Sequence, residues 1–193
     1  MLFKKENIGL NFIHNPRCGG RFVKQLLDYN GFSNIIDGKK VVKYKVAEYN
    51  NKKYNTNYQY MHWHYDLIKN NDYPKVLIIR DPMKRFISTS IRYGHLDFNL
   101  PYDTEDNWFR PQKHFYGKDV NVWNMKNGLS EKFCEWLSNI LNSKITSTSG
   151  KSYKTDKDFG WIKKKNYSDS MINKAKKYYQ LDYDFFDSIN ERF

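Results

Sequence analysis

An α/β fold follows from three features of this sequence. Lys75 to Ile79 (KVLII) is a short, nearly unbroken apolar run of the kind a parallel strand carries when helices cover both of its faces. Two segments read in succession as strand, polar loop and helix, the order that builds parallel sheets. The second half of the chain adds two amphipathic helical stripes.

The first unit begins where Ile8, Leu10 and Phe12 alternate with polar or small residues and lead into Ile13, so a strand is expected to end near His14. Pro16, Gly19 and Gly20 then make a turn, and Phe22, Val23, Leu26 and Leu27 share a helical face until Asn30 and Gly31 stop the helix. Residues 37 to 57 are polar and rich in Lys and Asn, with Val41 and Val42 as the one seed of a short strand, and residues 58 to 63 read as another strand. In the second unit Asp81 caps and Pro82 opens a helix after Ile79, with Phe86, Ile87 and Ile91 as its buried side. Residues 95 to 127 lack a period and read as a long surface excursion. Ser130 caps a helix whose stripe is Phe133, Trp136, Leu137, Ile140 and Leu141, and Ser168 or Asp169 caps another through Met171, Ile172, Ala175 and Tyr178. No repeat or linker divides the chain, so residues 1–193 are read as one domain.

Bulk properties agree with a folded protein that handles anions. In 193 residues, 39% are hydrophobic and 18% aromatic, enough for a core. The 33 basic and 21 acidic residues leave a formal charge of +12, which favours a nucleotide, nucleic acid, acidic glycan or membrane surface as partner. Cys18 and Cys134 are the only cysteines and have no metal-ligand spacing, so a reducing compartment is expected. Neither the apolar core of a signal peptide nor a run of about 18 apolar residues occurs, and the chain reads as cytoplasmic with no membrane span.

Two loops carry the chemistry. Arg17, Gly19, Gly20 and Arg21 lie where a strand turns into a helix, and there free backbone N–H groups and the positive helix end attract a phosphate. The pattern is not G-x-x-x-x-G-K-[ST], which demotes a nucleotide kinase. Arg80 ends the KVLII strand, and Ser88 follows about two turns along the next helix, within reach of the same anion. Two anion sites at the carboxyl ends of adjacent parallel strands suit a ligand with two separated phosphates, such as a nucleoside bisphosphate.

These residues carry a family resemblance. FIHNPRCGGRFVKQLL resembles the 5′-phosphosulfate loop of sulfotransferases that use 3′-phosphoadenosine 5′-phosphosulfate (PAPS), and IIRDPMKRFISTSIRYG resembles their 3′-phosphate motif, R-D-P-x-x-R-F-x-S. With HWHYDLI between them and YYQLDYDFF near the end, the order of motifs is similar to that of the carbohydrate (Golgi-type) sulfotransferases over roughly three quarters of the chain. The resemblance implies a three-layer, P-loop-like sulfotransferase fold with a mostly parallel central sheet flanked by helices, PAPS as donor, PAP as product and no metal. Carried over by position, Arg17, Cys18, Gly19, Gly20, Arg21 and Phe22 hold the 5′-phosphosulfate, while Arg80 and Ser88 bind the 3′-phosphate. This chain has Arg17 where the family usually has Lys, and Cys18 and Arg21 where small hydroxylated residues are usual. Arg17 then acts electrostatically, because a guanidinium does not readily give up a proton. His62 and His64 resemble the HxH pair of the uronyl 2-O-sulfotransferases, which makes His64 the expected general base and His62 its assistant or an acceptor ligand. An imidazole with a pKa of about 6.5 suits removal of a hydroxyl proton at neutral pH. The expected acceptor is a carbohydrate hydroxyl.

Other residues are assigned bland roles. Arg85 pairs with Asp81 or another nearby carboxylate; Lys163, Lys164, Lys165 and Asn166 form a solvated basic face or cover the 3′-phosphate; His95 and His114 are not catalytic. Cys18, at a helix start, is a candidate for a lowered pKa, which a neighbouring phosphate opposes. Two alternatives remain open at this level: a nucleic-acid binder, from Lys interleaved with aromatics in KKYNTNYQYMHWHY and KKKNYSDSMINKAKKYY, and a PAPS-binding fold without turnover.

Overall fold

A computed structural model describes residues 1–35, 72–93, 109–147 and 167–190. In chain order these form strands β1 (Leu2–Lys5) and β2 (Ile8–Ile13), helix α1 (Gly20–Tyr29), the short strand β3 (Ser33–Asn34), strand β4 (Lys75–Ile79), helix α2 (Pro82–Tyr93), strand β5 (Val120–Asn124), and helices α3 (Glu131–Leu141), α4 (Asp169–Tyr178) and α5 (Gln180–Asn190). Short 3-10 turns cover Gln112–Phe115 and Met125–Asn127.

The architecture is α/β, with a five-stranded sheet in the order β3-β1-β2-β4-β5. The sheet is mixed, which corrects the expectation of a mostly parallel one. β2 pairs with β4 and β4 with β5 in parallel, whereas β1 pairs antiparallel with both β2 and β3. The cause is local: β1 and β2 are joined by a turn at Glu6, whose φ of 52° is left-handed, and so short a connection allows only an antiparallel hairpin. The parallel half obeys the opposite constraint, since each of its connections is long enough to cross over.

Alternation along β4 sends its side chains to two separate cores. Val76 and Ile78 join Leu10, Phe12, Val23, Leu26, Leu27, Trp123, Phe133, Leu137 and Leu141 under α1 and α3. Leu77 and Ile79 join Ile13, Phe115, Val122, Phe185 and Ile189 under α5. All five residues of β4 are buried, as its unbroken apolar run requires. In the first core Trp123 meets Phe133 edge-on at 5.5 Å and Phe22 meets Phe133 at 6.0 Å. A third cluster of Phe86, Phe109, Ala175 and Tyr179 fastens α2 to α4, and the Tyr179 hydroxyl donates to the Phe109 carbonyl at 2.6 Å.

Most helix boundaries fall where their signals lie. Asp81 Oδ1 accepts from the Lys84 amide at 2.7 Å, and Pro82 is the first residue of α2. Ser168 rather than Asp169 caps α4, its Oγ accepting from the Met171 amide at 3.3 Å. Gly31, at φ 81°, ends α1. The reading of residues 95 to 127 as irregular is corrected in its described part, where β5 and two 3-10 turns appear. β5 pairs with β4 through all of its residues, an arrangement that the weak alternation of Val-Asn-Val-Trp-Asn did not announce.

Candidate functional site

β2 and β4 run in parallel with Phe12 beside Val76 and Ile13 beside Leu77, so the loops that leave them emerge at the same edge of the sheet. The first loop runs from His14 to Gly19 into α1, and the second is the Arg80-Asp81 step into α2. This edge is where open α/β sheets bind ligands, because chain direction reverses there and helix starts point inward.

The first loop is bent by two left-handed residues, Arg17 at φ 64° and Gly19 at φ 80°. Glycine accepts that conformation freely; an arginine does not, and non-glycine residues held this way cluster at functional sites. Gly20 serves a different need. A Cβ there would lie 2.2 Å from Nε2 of His14, so only glycine lets the imidazole pack against the start of α1. The N-cap residue of α1, Gly19, makes no side-chain cap hydrogen bond, and no acidic residue occupies the first turn, so the positive helix end is not offset by a carboxylate of its own first turn.

The two loops meet. Arg17 Nε donates to Ser88 Oγ at 3.0 Å, and Arg80 Nη1 donates to the Arg17 carbonyl at 3.3 Å. The residues assigned to separate phosphate cradles are therefore parts of one connected cluster, with Arg17 bonded to both Ser88 and Arg80. Beneath them Arg85 is 1% exposed and its Nε donates to the Pro16 carbonyl at 3.0 Å. Three guanidinium groups, those of Arg85, Arg80 and Arg17, act electrostatically on the Cys18 thiol. So much positive charge around one loop favours an anion strongly.

The remaining assignments divide. Phe22 packs its ring against Phe133 of α3, away from a role as a side-chain ligand, and the Arg21 side chain is exposed. Cys18 is fully buried, and burial outweighs the nearby arginines to push its thiol up to about 11, against the lowered pKa for which its place at a helix start made it a candidate. Arg85 holds the first loop through the Pro16 carbonyl and acts electrostatically on the buried carboxyl of Asp182 in α5. Burial pushes the Asp182 carboxyl up, opposed by Arg85 and by hydrogen bonds from Gln112 and Lys113. His114 is half-buried, and burial together with Arg110 holds its pKa down. His62 and His64, and also His95, Lys163, Lys164, Lys165 and Asn166, lie outside the described residues.

Two features escaped the sequence. The buried side of α2 is polar as well as apolar: Arg85, Ser88, Thr89 and Ser90 are buried there with Phe86, whereas Ile87 and Ile91 are half-buried. Gln112, in a segment without period, is fully buried at the heart of the cluster, and its side-chain amide holds both loops. Only the Pro111 that precedes it hinted at an ordered turn.

Among the described residues, no group of three His, Cys, Asp or Glu side chains is arranged to hold a metal, and no helix is long and apolar enough to cross a membrane. Comparison with protein-family models, with curated proteins and with solved structures finds no match.

Proposed function

We propose that this protein is a sulfotransferase that moves a sulfonate from PAPS to an acceptor hydroxyl, with a carbohydrate as the acceptor class. One observation carries the reading: Arg17, Ser88 and Arg80 converge at the carboxyl edge of two adjacent parallel strands, beside an uncapped helix start. The chemistry of this set fits the donor molecule. Guanidinium groups, a hydroxyl and the N–H groups at the start of α1 are hydrogen-bond donors, and a bisphosphorylated nucleotide is rich in acceptors at two separated points.

Bound PAPS supplies an activated sulfonate, whose S–O bond to the 5′-phosphate breaks as the acceptor oxygen bonds to sulfur. Arg17 and the N–H groups at the start of α1 stabilise the charge that grows on the departing 5′-phosphate. Arg80 and Ser88 grip the 3′-phosphate and fix the nucleotide so that attack is in line. His64 takes the proton of the acceptor hydroxyl, and His62 assists it or holds the acceptor. His64→Ala is expected to abolish transfer while PAP affinity stays within about twofold; unchanged turnover in a sulfonate-transfer assay would remove His64 from the role.

The reading is tested by thermal shift and titration with PAP, ADP and AMP. A ligand held at both ends stabilises the fold more than one held at a single end. PAP is expected to raise Tm well above ADP or AMP. Arg80→Ala should weaken PAP by about 10- to 100-fold, the loss of one charge-assisted contact, and leave AMP nearly unaffected, whereas Arg17→Ala should weaken both. Equal shifts for PAP and AMP sink the proposal. A nucleic-acid binder would instead be stabilised by single-stranded nucleic acid, steeply less so with added salt, and would ignore the 3′-phosphate.

A further inference from the structure

We infer that Gln112 is a positioning residue that sets the spacing between the two arginine-bearing loops, and through that spacing the preference for a ligand with phosphates at both ends. The inference rests on the sulfotransferase reading and deepens it. Its ground is one buried side-chain amide with an unusual set of partners. Nε2 of Gln112 donates to the Arg80 carbonyl at 2.7 Å, and Oε1 accepts from the Arg80 amide at 2.9 Å. This pair of bonds is what a neighbouring strand would give, so the amide extends the ordered part of β4 by one residue and fixes the direction in which the Arg80 side chain departs. The same Oε1 accepts from Asn15 Nδ2 at 2.9 Å and from the Cys18 thiol at 3.5 Å, the residues on either side of Pro16 and Arg17. Asn15 Nδ2 also donates to the Ile78 carbonyl at 3.0 Å, tying the first loop back to β4.

One planar group thus fixes the backbone of Arg80 and both flanks of Arg17. Gln112 is 0% exposed, so the ligand does not touch it and its action passes through the two arginines. A glutamine is suited to this work because it donates and accepts in a single plane and stays uncharged among Arg80, Arg85, Arg17 and Asp182. An isosteric residue without the amide leaves the loops folded but no longer held in register. A ligand that bridges both loops then loses affinity, while a ligand that uses one loop does not.

Two variants test this by titration with PAP and with AMP. Gln112→Met roughly keeps the volume and removes every hydrogen bond of the side chain, including its share in holding Asp182. It is expected to lower the ratio of PAP to AMP affinity by about tenfold or more, with AMP itself within about twofold of the original protein. Gln112→Glu keeps the acceptor for Arg80 N–H and Asn15 but sets a carboxylate against the Arg80 carbonyl. Protonation of that carboxyl restores the donor. The PAP:AMP ratio of this variant, referred to the original protein at each pH, should recover as pH falls, an effect that mere damage to packing does not produce. If Gln112→Met fails to fold, the Glu series carries the test alone.

An unchanged ratio, or equal losses for both ligands, overturns the positioning role. If the original protein itself shows no preference for PAP, the sulfotransferase reading fails instead. Gln112 is then judged without nucleotide, by hydrogen exchange at the Arg80 amide: faster exchange in Gln112→Met upholds its hold on the loops, and unaltered exchange ends it.

Discussion

Arg17 sits in a backbone conformation that costs a residue with a Cβ roughly 1–3 kcal/mol, and it is held there from several sides. Its carbonyl accepts from Arg80, its Nε donates to Ser88, and the preceding carbonyl of Pro16 accepts from Arg85. Asp182 is the acidic counterweight. It is fully buried, accepts from the Lys113 amide at 2.9 Å and faces Arg85, yet the net effect of its surroundings is to favour the protonated carboxyl. Linkage fixes the sign. A carboxyl that binds its proton more tightly in the folded state contributes stability fully below its ordinary value of 3.8, and that contribution is lost as pH rises through the folded value. Asp182→Asn keeps an acceptor for Lys113 and cannot titrate. The Tm of the original protein minus that of Asp182→Asn should therefore fall as pH rises from about 3.5 toward 7, and parallel melting curves across that range would refute the assignment.

At the scale of elements, the junction of β2 and α1 shows how a glycine pair is used twice for different reasons. Gly19 supplies a left-handed turn that brings it against Leu129, and Gly20 supplies clearance for the ring of His14. Gly20→Ala places a methyl 2.2 Å from a ring that is itself packed near Phe12, with centroids 6.1 Å apart, so the helix start or the imidazole must move. A loss of about 1–3 kcal/mol is expected from denaturant unfolding, the usual range for overpacking. A change below about 0.5 kcal/mol, typical of an unconstrained surface site, would mean that His14 swings away freely. α2 teaches a related lesson. This helix buries Arg85 and Ser88 because those groups have partners at the carboxyl edge of the sheet, and a pattern based on apolar residues alone misplaces its inner face.

On the scale of the whole molecule, the chain wrote its parallel half plainly and its pairing obscurely. KVLII, the Asn30-Gly31 stop, the Asp81-Pro82 start and the stripe of α3 are signals in which neighbouring residues dictate local geometry, and each element lies where its signal does. The α/β class and the two strand-loop-helix units were determined in this way, because capping and periodicity act over a few residues. Strand order, the antiparallel β1, the inclusion of β5 and the meeting of Arg17 with Ser88 and Arg80 depended on which surfaces bury the most apolar area together. So did the role of Gln112, whose partners Asn15, Cys18 and Arg80 come from distant segments. Such contacts are chosen by packing over the whole fold, and no window of sequence contains both partners.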